Sequence, residues 1–242
     1  MSVESLAVSL ASIVAGAIAS VTGFGIGSIL TPTLSLWMDG RVAVALVAVP
    51  HLAGTAVRFA MLRGRVDRSV MWRFGLASAA GGLTGALFQS ALGGPVLMIV
   101  LAVLLLLVAA GELTGLIGRL RFTGPSAWIA GVVSGLLGGL VGNQGGIRSA
   151  ALLGFGLSRE VFVATATAIA LFVDGARLPV YLATAGDEVW AQRQFMLIAC
   201  AGVIAGTVAG ARLLRGIPET AFRKIVAILL AALGLALLAR AR

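Results

Sequence analysis

An all-α integral membrane bundle is the fold class this sequence predicts, on three observations. The chain of 242 residues is 60% hydrophobic and 11% charged, with a mean hydropathy of +1.07. Soluble domains run nearer half apolar and a quarter charged. The surplus apolar surface therefore needs a second apolar solvent, and lipid supplies it. Apolar stretches of about 20 residues recur, each long enough to cross a bilayer as a helix. A polar, Gly-rich break also appears twice, at matching places in the two halves.

Segment one runs from Val3 to Val21. Its apolar start lacks a basic leader and holds Glu4, which favours a first membrane segment over a cleaved signal peptide. The break Thr22-Gly23-Phe24-Gly25-Ile26-Gly27-Ser28 follows, then a short apolar piece, Ile29 to Trp37. Segment two spans Val42 to Leu62 and holds Pro50, His51 and Arg58; a basic connection, Arg63 to Arg68, ends it. Segment three spans Val70 to Leu92, and Gly93-Gly94-Pro95 makes a tight turn. Segment four covers Val96 to Ile117, and Arg119 and Arg121 mark another basic connection.

The pattern then restarts. Segment five, Ala127 to Val141, ends in Gly142-Asn143-Gln144-Gly145-Gly146, and a short piece, Ile147 to Leu157, follows. Segment six spans Val161 to Ala183, with Asp187 and Glu188 in its connection. Segments seven and eight cover Phe195 to Leu214 and Ala221 to Ala239. A shift of about 119 positions lays Gly16 on Gly135, Gly23 on Gly142, Gly27 on Gly146 and Arg58 on Arg177, and Gly94-Pro95 later meets Ile217-Pro218. The chain thus reads as one membrane domain of two repeats, 1–121 and 122–242.

Charge bias orients it. The connections with Arg63/Arg65/Arg68, Arg119/Arg121 and Arg212/Arg215/Arg223/Lys224 belong in the cytoplasm. Gly93-Gly94 and Asp187/Glu188 belong outside. With each broken segment as a re-entrant hairpin dipping to mid-membrane, each half holds a hairpin plus three crossing helices. The odd number of crossings inverts the second repeat, an arrangement shared by many secondary transporters. Arg240 and Arg242 then fall outside, against the bias. Trp37, Trp72, Trp128 and Trp190 fall near segment ends, as an aromatic belt requires.

The breaks are the candidate functional elements. Each Gly disfavours helix by roughly 1 kcal/mol relative to Ala. Unwound backbone at membrane depth must face protein or a watered cavity. The half-helix after a break aims its N-terminus there, where free N–H groups and the helix dipole favour an anion. Thr22, Gly25, Gly27 and Ser28 of the first break, and Asn143, Gln144, Gly145, Gly146 and nearby Arg148 of the second, form the candidate substrate site. The glycines of Gly81-x-x-x-Gly85 and Gly202-x-x-x-Gly206-x-x-x-Gly210 read instead as close helix packing.

These breaks resemble those of the sulfite exporter TauE/SafE family. Each half there carries a Gly-rich turn, an apolar stretch with a following Pro, and an A-v-x-T-S-like start to the next helix. Here the first half shows Gly23-Phe24-Gly25-Ile26-Gly27 with Pro32, and the second Gly142-Asn143-Gln144-Gly145-Gly146 with Ala164-Thr165-Ala166-Thr167. The resemblance covers nearly the whole chain through length, repeat and segment order. It implies export or import of sulfite, organosulfonates or thiosulfate-like anions across a bacterial inner membrane.

Four further residues are secondary candidates. His51, the sole histidine, reads first as a packed, hydrogen-bonded side chain and second as a proton relay. Asp174 and Arg177, at i and i+3, can pair on one face, as a structural ion pair near the outer end. Arg58 is expected to snorkel to the cytoplasmic surface. Arg148 reads either as a site residue or as a surface group on a shallow hairpin, and Glu112 is expected to reach the interface. Cys200 is alone, which excludes disulfides and Cys-based metal sites. No HExxH, GxSxG, phosphate loop or nucleic-acid patch is present. The expectation is a transporter rather than an intramembrane enzyme, with no cofactor or metal. The partners are a small anion and lipid, homo-oligomerisation is left open, and a membrane scaffold is the alternative.

Overall fold

The computed structural model describes residues 2–119, 122, 124–143, 145–213 and 218–240. Expectations for Arg121, Arg215, Ile217 and Arg242 lie outside those residues. Among the described residues the regular structure is helical: α1 Val3–Thr22, α2 Ile26–Ser35, α3 Gly40–Leu62, α4 Arg68–Ala91, α5 Gly94–Leu113, α6 Leu116–Arg119, α7 Pro125–Val141, α8 Gly145–Leu153, α9 Arg159–Ala191, α10 Arg193–Leu213 and α11 Glu219–Arg240. Local chemistry sets the ends. Ser2 caps α1 by accepting the N–H of Ser5, and Asp39 and Asp67 cap α3 and α4 through the N–H groups of Arg41 and Val70. Pro95 and Pro125 occupy first turns of α5 and α7, where no N–H is missed.

Two element boundaries differ from the sequence reading. The first break is shorter than its polar composition suggested. Only Gly23, Phe24 and Gly25 are unwound, so Gly27 and Ser28 belong to the first turn of α2, and Gly145, Gly146 and Arg148 belong to α8. The expected connection at Asp187 and Glu188 is helical, because the backbone leaves helix geometry only at Ala185, with φ −143°, and then continues to Ala191. The arms of each broken element are also unequal. α1 has 20 residues against 10 in α2, and α7 has 17 against 9 in α8. At 1.5 Å per residue, α1 alone is long enough to cross a bilayer core.

Small residues fix the packing. Gly206 lies on the backbone of Ile13 and Ala17, and Gly210 on Ala17 and Ser20, so α1 and α10 run side by side and parallel. Gly81 meets the backbone of Val132 and Leu136, and Gly85 that of Leu136 and Leu140, which sets α4 parallel to α7. α3 and α9 cross between these pairs and run antiparallel, with His51 facing Asp174 and Arg58 facing Thr167. α5 and α11 are antiparallel too, since Glu112 meets Arg223 while Gly234 lies on Ala102 and Leu106. Exchanging α1–α5 with α7–α11 carries the α1–α10 contact onto α4–α7, and α3–α10 onto α4–α9.

Polar links gather at two ends of this bundle. At one, Arg41 pairs with Glu188, Gln89 donates to the Arg41 carbonyl and Arg240 donates to the Leu36 carbonyl. At the other, Arg65 pairs with Glu160, the Asp67 N–H meets Thr165, and Glu112 pairs with Arg223. Arg63, Arg68, Arg159 and Lys224 adjoin this second end in sequence, so it is the basic one. Among the described residues six helices, α1, α3, α5, α9, α10 and α11, are long and apolar enough to cross a membrane. α4 is as long but rich in Gly, Ala and Ser, which it buries against α7 and α9. The four Trp side chains are exposed, as a lipid-facing belt requires.

This packing separates two glycines of equal chemistry. A Cβ on Gly135 would strike the Ser78 carbonyl and the Gly82 backbone, whereas one on Gly175 would have no atom within 4 Å. Gly135→Ala is expected to destabilise by about 1–3 kcal/mol or more through overpacking. Gly175→Ala is expected to be neutral or to stabilise by up to ~1 kcal/mol through helix propensity. Thermal unfolding in a single detergent compares them; equal midpoints would contradict the packing described.

Candidate functional site

The two breaks touch. Gly23 and Gly142 end α1 and α7 in the left-handed conformation, with φ 81° and 72°, which L side chains adopt only with strain. Each returns its N–H to the preceding turn, Gly23 to Ala19 at 2.9 Å and Gly142 to Gly138 at 3.1 Å. The Gly142 carbonyl then lies against the α-carbon of Gly27, where any Cβ would collide. Beside this contact Ser28 Oγ donates to Asn143 Oδ1 at 2.9 Å, tying α2 to the second break.

A charged cluster is buried around that junction. Arg58, Arg148 and Arg177 are 2%, 2% and 1% exposed, Asp174 0% and His51 6%. Arg177 donates to Asp174 Oδ1 from Nη2 at 2.8 Å and from Nε at 3.1 Å, and to the Gly138 carbonyl from Nη1 at 2.5 Å. His51 Nδ1 meets the other carboxylate oxygen of Asp174 at 2.7 Å. Tyr181, one turn beyond Arg177, donates its hydroxyl to the Gly139 carbonyl. Arg58 Nε donates to Thr167 Oγ1 at 2.7 Å and Nη2 to the Gly23 carbonyl at 3.4 Å. Arg148 Nη1 donates to the Ala166 carbonyl at 3.2 Å, one residue away on the same stretch of α9.

Two features follow. Arg58 places a cation at the carbonyl end of α1, and Arg177 at that of α7, where the helix dipole is negative. Among the described buried groups, three guanidiniums face one carboxylate, leaving two positive charges uncompensated. Buried charges are ordinarily paired. Among the described residues, Arg58 Nη1, Arg148 Nε and Nη2, and Asn143 Nδ2 find no hydrogen-bond partner. The hydroxyls of Thr31, Ser35, Thr55 and Thr207 share that state; a hydroxyl can rotate toward another acceptor, whereas the fixed fork of a guanidinium cannot.

A cavity of about 290 Å³ approaches this cluster from the basic end. Its walls include Arg159, Arg223, Glu112, Ser149, Thr22 and Phe24. The Phe24 side chain lies on Gly145, between the cavity and the second break. Toward the other end, Leu30, Leu34, Ala43, Val44, Leu97 and Val141 are fully buried in the main apolar core.

The residues expected from sequence separate into groups. Ser28, Asn143 and Arg148 come together, and Arg148 is buried rather than at the surface of a shallow hairpin. Thr22 lines the cavity, but its hydroxyl is engaged by the backbone of the break at Phe24 and Ile18. Gly25 packs on Ile18, Gly146 on Val108, and Gly145 under Phe24. Gln144 lies outside the described residues. Arg58 does not snorkel, because Thr167 and the Gly23 carbonyl hold its head inside the bundle. Asp174 and Arg177 do pair, yet at the middle of α9 rather than near its outer end. Sequence reasoning missed Tyr181 and Thr167. Tyr181 is the sole tyrosine and stands four residues after Arg177 on the same helix face, a spacing that could have signalled it.

The sequence model of one family, described as Sulfite exporter TauE/SafE, matches residues 8–237. No curated protein and no solved structure shows a match.

The charge imbalance has a consequence for stability. Arg177→Ala would leave the Asp174 carboxylate buried without its guanidinium, and a loss of about 3–5 kcal/mol is expected. Arg148→Ala removes a cation already in excess, so its effect is expected to stay within about 1 kcal/mol of zero. Thermal unfolding of both purified variants checks this ordering; similar losses would show that Arg148 is a structural partner like Arg177.

Proposed function

The chain belongs to the sulfite exporter TauE/SafE family, and on that premise we propose that it exports sulfite or an organosulfonate across the bacterial inner membrane by alternating access around its two breaks. The family is one of membrane transporters of sulfite and related sulfur anions. The observation that carries the more specific reading is the surplus of buried positive charge, with partnerless donors on Arg58, Arg148 and Asn143.

A sulfite or sulfonate group presents three acceptor oxygens and negative charge. Guanidiniums bind such groups in two-pronged fashion, with charge-assisted hydrogen bonds. The amide of Asn143, fixed by Ser28 through its oxygen, offers one further donor. Asp174 offsets one guanidinium, which keeps the anion from being held too tightly to leave. Substrate exchange without a nucleotide-binding element fits secondary transport.

Alternating access is supported by the antiparallel course of α3 against α9 and of α5 against α11, as expected of an inverted repeat. Two broken elements of unequal arms, related by that exchange, suit re-entrant segments at the repeat interface. The cavity reaches the first break from the basic end, and a buried apolar core lies between the breaks and the polar links of the opposite end. Basic residues concentrate on the cytoplasmic side of membrane proteins. This conformation therefore suits loading from the cytoplasm, consistent with export.

In proteoliposomes preloaded with sulfite, Arg58→Gln and Arg148→Gln are each expected to slow efflux at least tenfold, and Asn143→Ala to raise the apparent KM severalfold. Wild-type rates in both arginine variants would move the substrate site elsewhere. Single cysteines in place of Arg65 and Arg119 are expected to react from the cytoplasm, and one in place of Glu188 from outside. Labelling of residues 65 and 119 from opposite faces would sink the orientation.

A further inference from the structure

Beneath the proposed anion site lies a titratable group that anion binding does not itself require. His51 of α3 is the only histidine in the chain, and it is buried. Arg177 occupies Asp174 Oδ1 twice, while His51 Nδ1 meets Oδ2. A carboxylate paired with a guanidinium accepts hydrogens only, so Nδ1 carries the hydrogen and Nε2 is the ring's open acceptor. The Cδ2 carbon beside Nε2 is the nearest ring atom to Gly27, 4.0 Å from where a Cβ on it would stand. The proton-accepting edge of His51 thus faces the junction of the two breaks, and its other edge is fixed to the second repeat.

We propose that the proton is the coupling ion of this transporter, bound at His51 Nε2 when the anion occupies the arginine cluster. This rests on the anion-transport reading above. The charged groups around His51 give the mechanism its sign. From α9 it faces Asp174 and Arg177, and from its own helix Arg58. α2 contributes no titratable side chain, α10 offers Cys200 as its one titratable group between Arg193 and Arg212, and α5 only Glu112 near its far end. In the empty carrier a proton on His51 adds positive charge to a cluster already in excess. An arriving anion cancels that excess, and proton and anion then favour one another. A unit charge placed within about 10 Å at an effective dielectric near 20 alters proton affinity on the order of tenfold, and linkage makes the effect reciprocal. The proton comes from water and returns to it, with no other bond changed. If only the empty and the doubly loaded carriers change conformation, anion and proton move together, and net direction follows their combined gradients.

The sole histidine makes the test direct. Wild-type protein, labelled in histidine and purified on a tag without histidine, is titrated by NMR in nanodiscs with and without saturating sulfite. The titration midpoint of His51 is expected to rise by about one pH unit with sulfite. The matching measurement is sulfite affinity of wild type and His51→Gln from pH 5.5 to 8.5, where sulfite's own titration is common to both and cancels in the ratio. Wild type is expected to bind about tenfold tighter than His51→Gln at the acid end and equally at the alkaline end. Sulfite binding with an unmoved histidine and a constant ratio would overturn the coupling while leaving the anion site standing. No sulfite binding by either protein at any pH would overturn both.

Discussion

Among the described residues Asp174 is the single carboxylate of the buried charges, and the centre of the molecule is organised by its inability to balance them. It holds Arg177 and His51 directly and attracts Arg58 and Arg148 electrostatically. These side chains come from α3, α8 and α9, so one charge ties both halves of the chain together. Pairing makes Arg177 tolerable inside an apolar bundle. It does not do so for all three guanidiniums. The unmatched remainder is the basis for the anion site proposed at this helix junction.

Such a cluster needs helices that approach to backbone contact. The stripes Gly81/Gly85 on α4 and Gly202/Gly206/Gly210 on α10 bring α4 onto α7 and α1 onto α10. Gly23 and Gly142 then release both chains, and the Gly142 carbonyl meets Gly27 at the start of α2. The carbonyl ends of α1 and α7 receive Arg58 and Arg177. Close packing and site construction are therefore one device, since a Cβ at Gly27 would part the breaks and with them Ser28 from Asn143. The basic end keeps a cavity whose wall includes Phe24, the residue lying over Gly145.

Much of this was legible in the sequence, and the gaps have physical reasons. Hydropathy located the helices because lipid demands long apolar runs, and both Gly-rich breaks stood out because each chain turn there takes a left-handed glycine, Gly23 and Gly142. Arg58 was misjudged because a cation near a helix end usually snorkels. Only the fold shows that Thr167 and the Gly23 carbonyl lie within its reach. The shift that placed Arg58 on Arg177 already hinted that the two do equal work. Asp174 looked peripheral because segment six was ended too early, at Ala183, whereas the helix continues through the kink at Ala185 to Ala191. Tyr181 and Thr167 were overlooked because neutral hydroxyls in apolar helices carry little signal until their partners are known.

A sulfur oxyanion is proposed to rest on the unmatched guanidiniums at the meeting of the breaks. Selenite has the shape and charge of sulfite and scatters X-rays anomalously, so a crystal structure grown with it reads the site directly. The account predicts one selenium peak within about 4 Å of Arg148 Nη2, Arg58 Nη1 or Asn143 Nδ2, with oxygens on those donors. A peak confined to the surface arginines, or none in the bundle interior at saturating selenite, would contradict it.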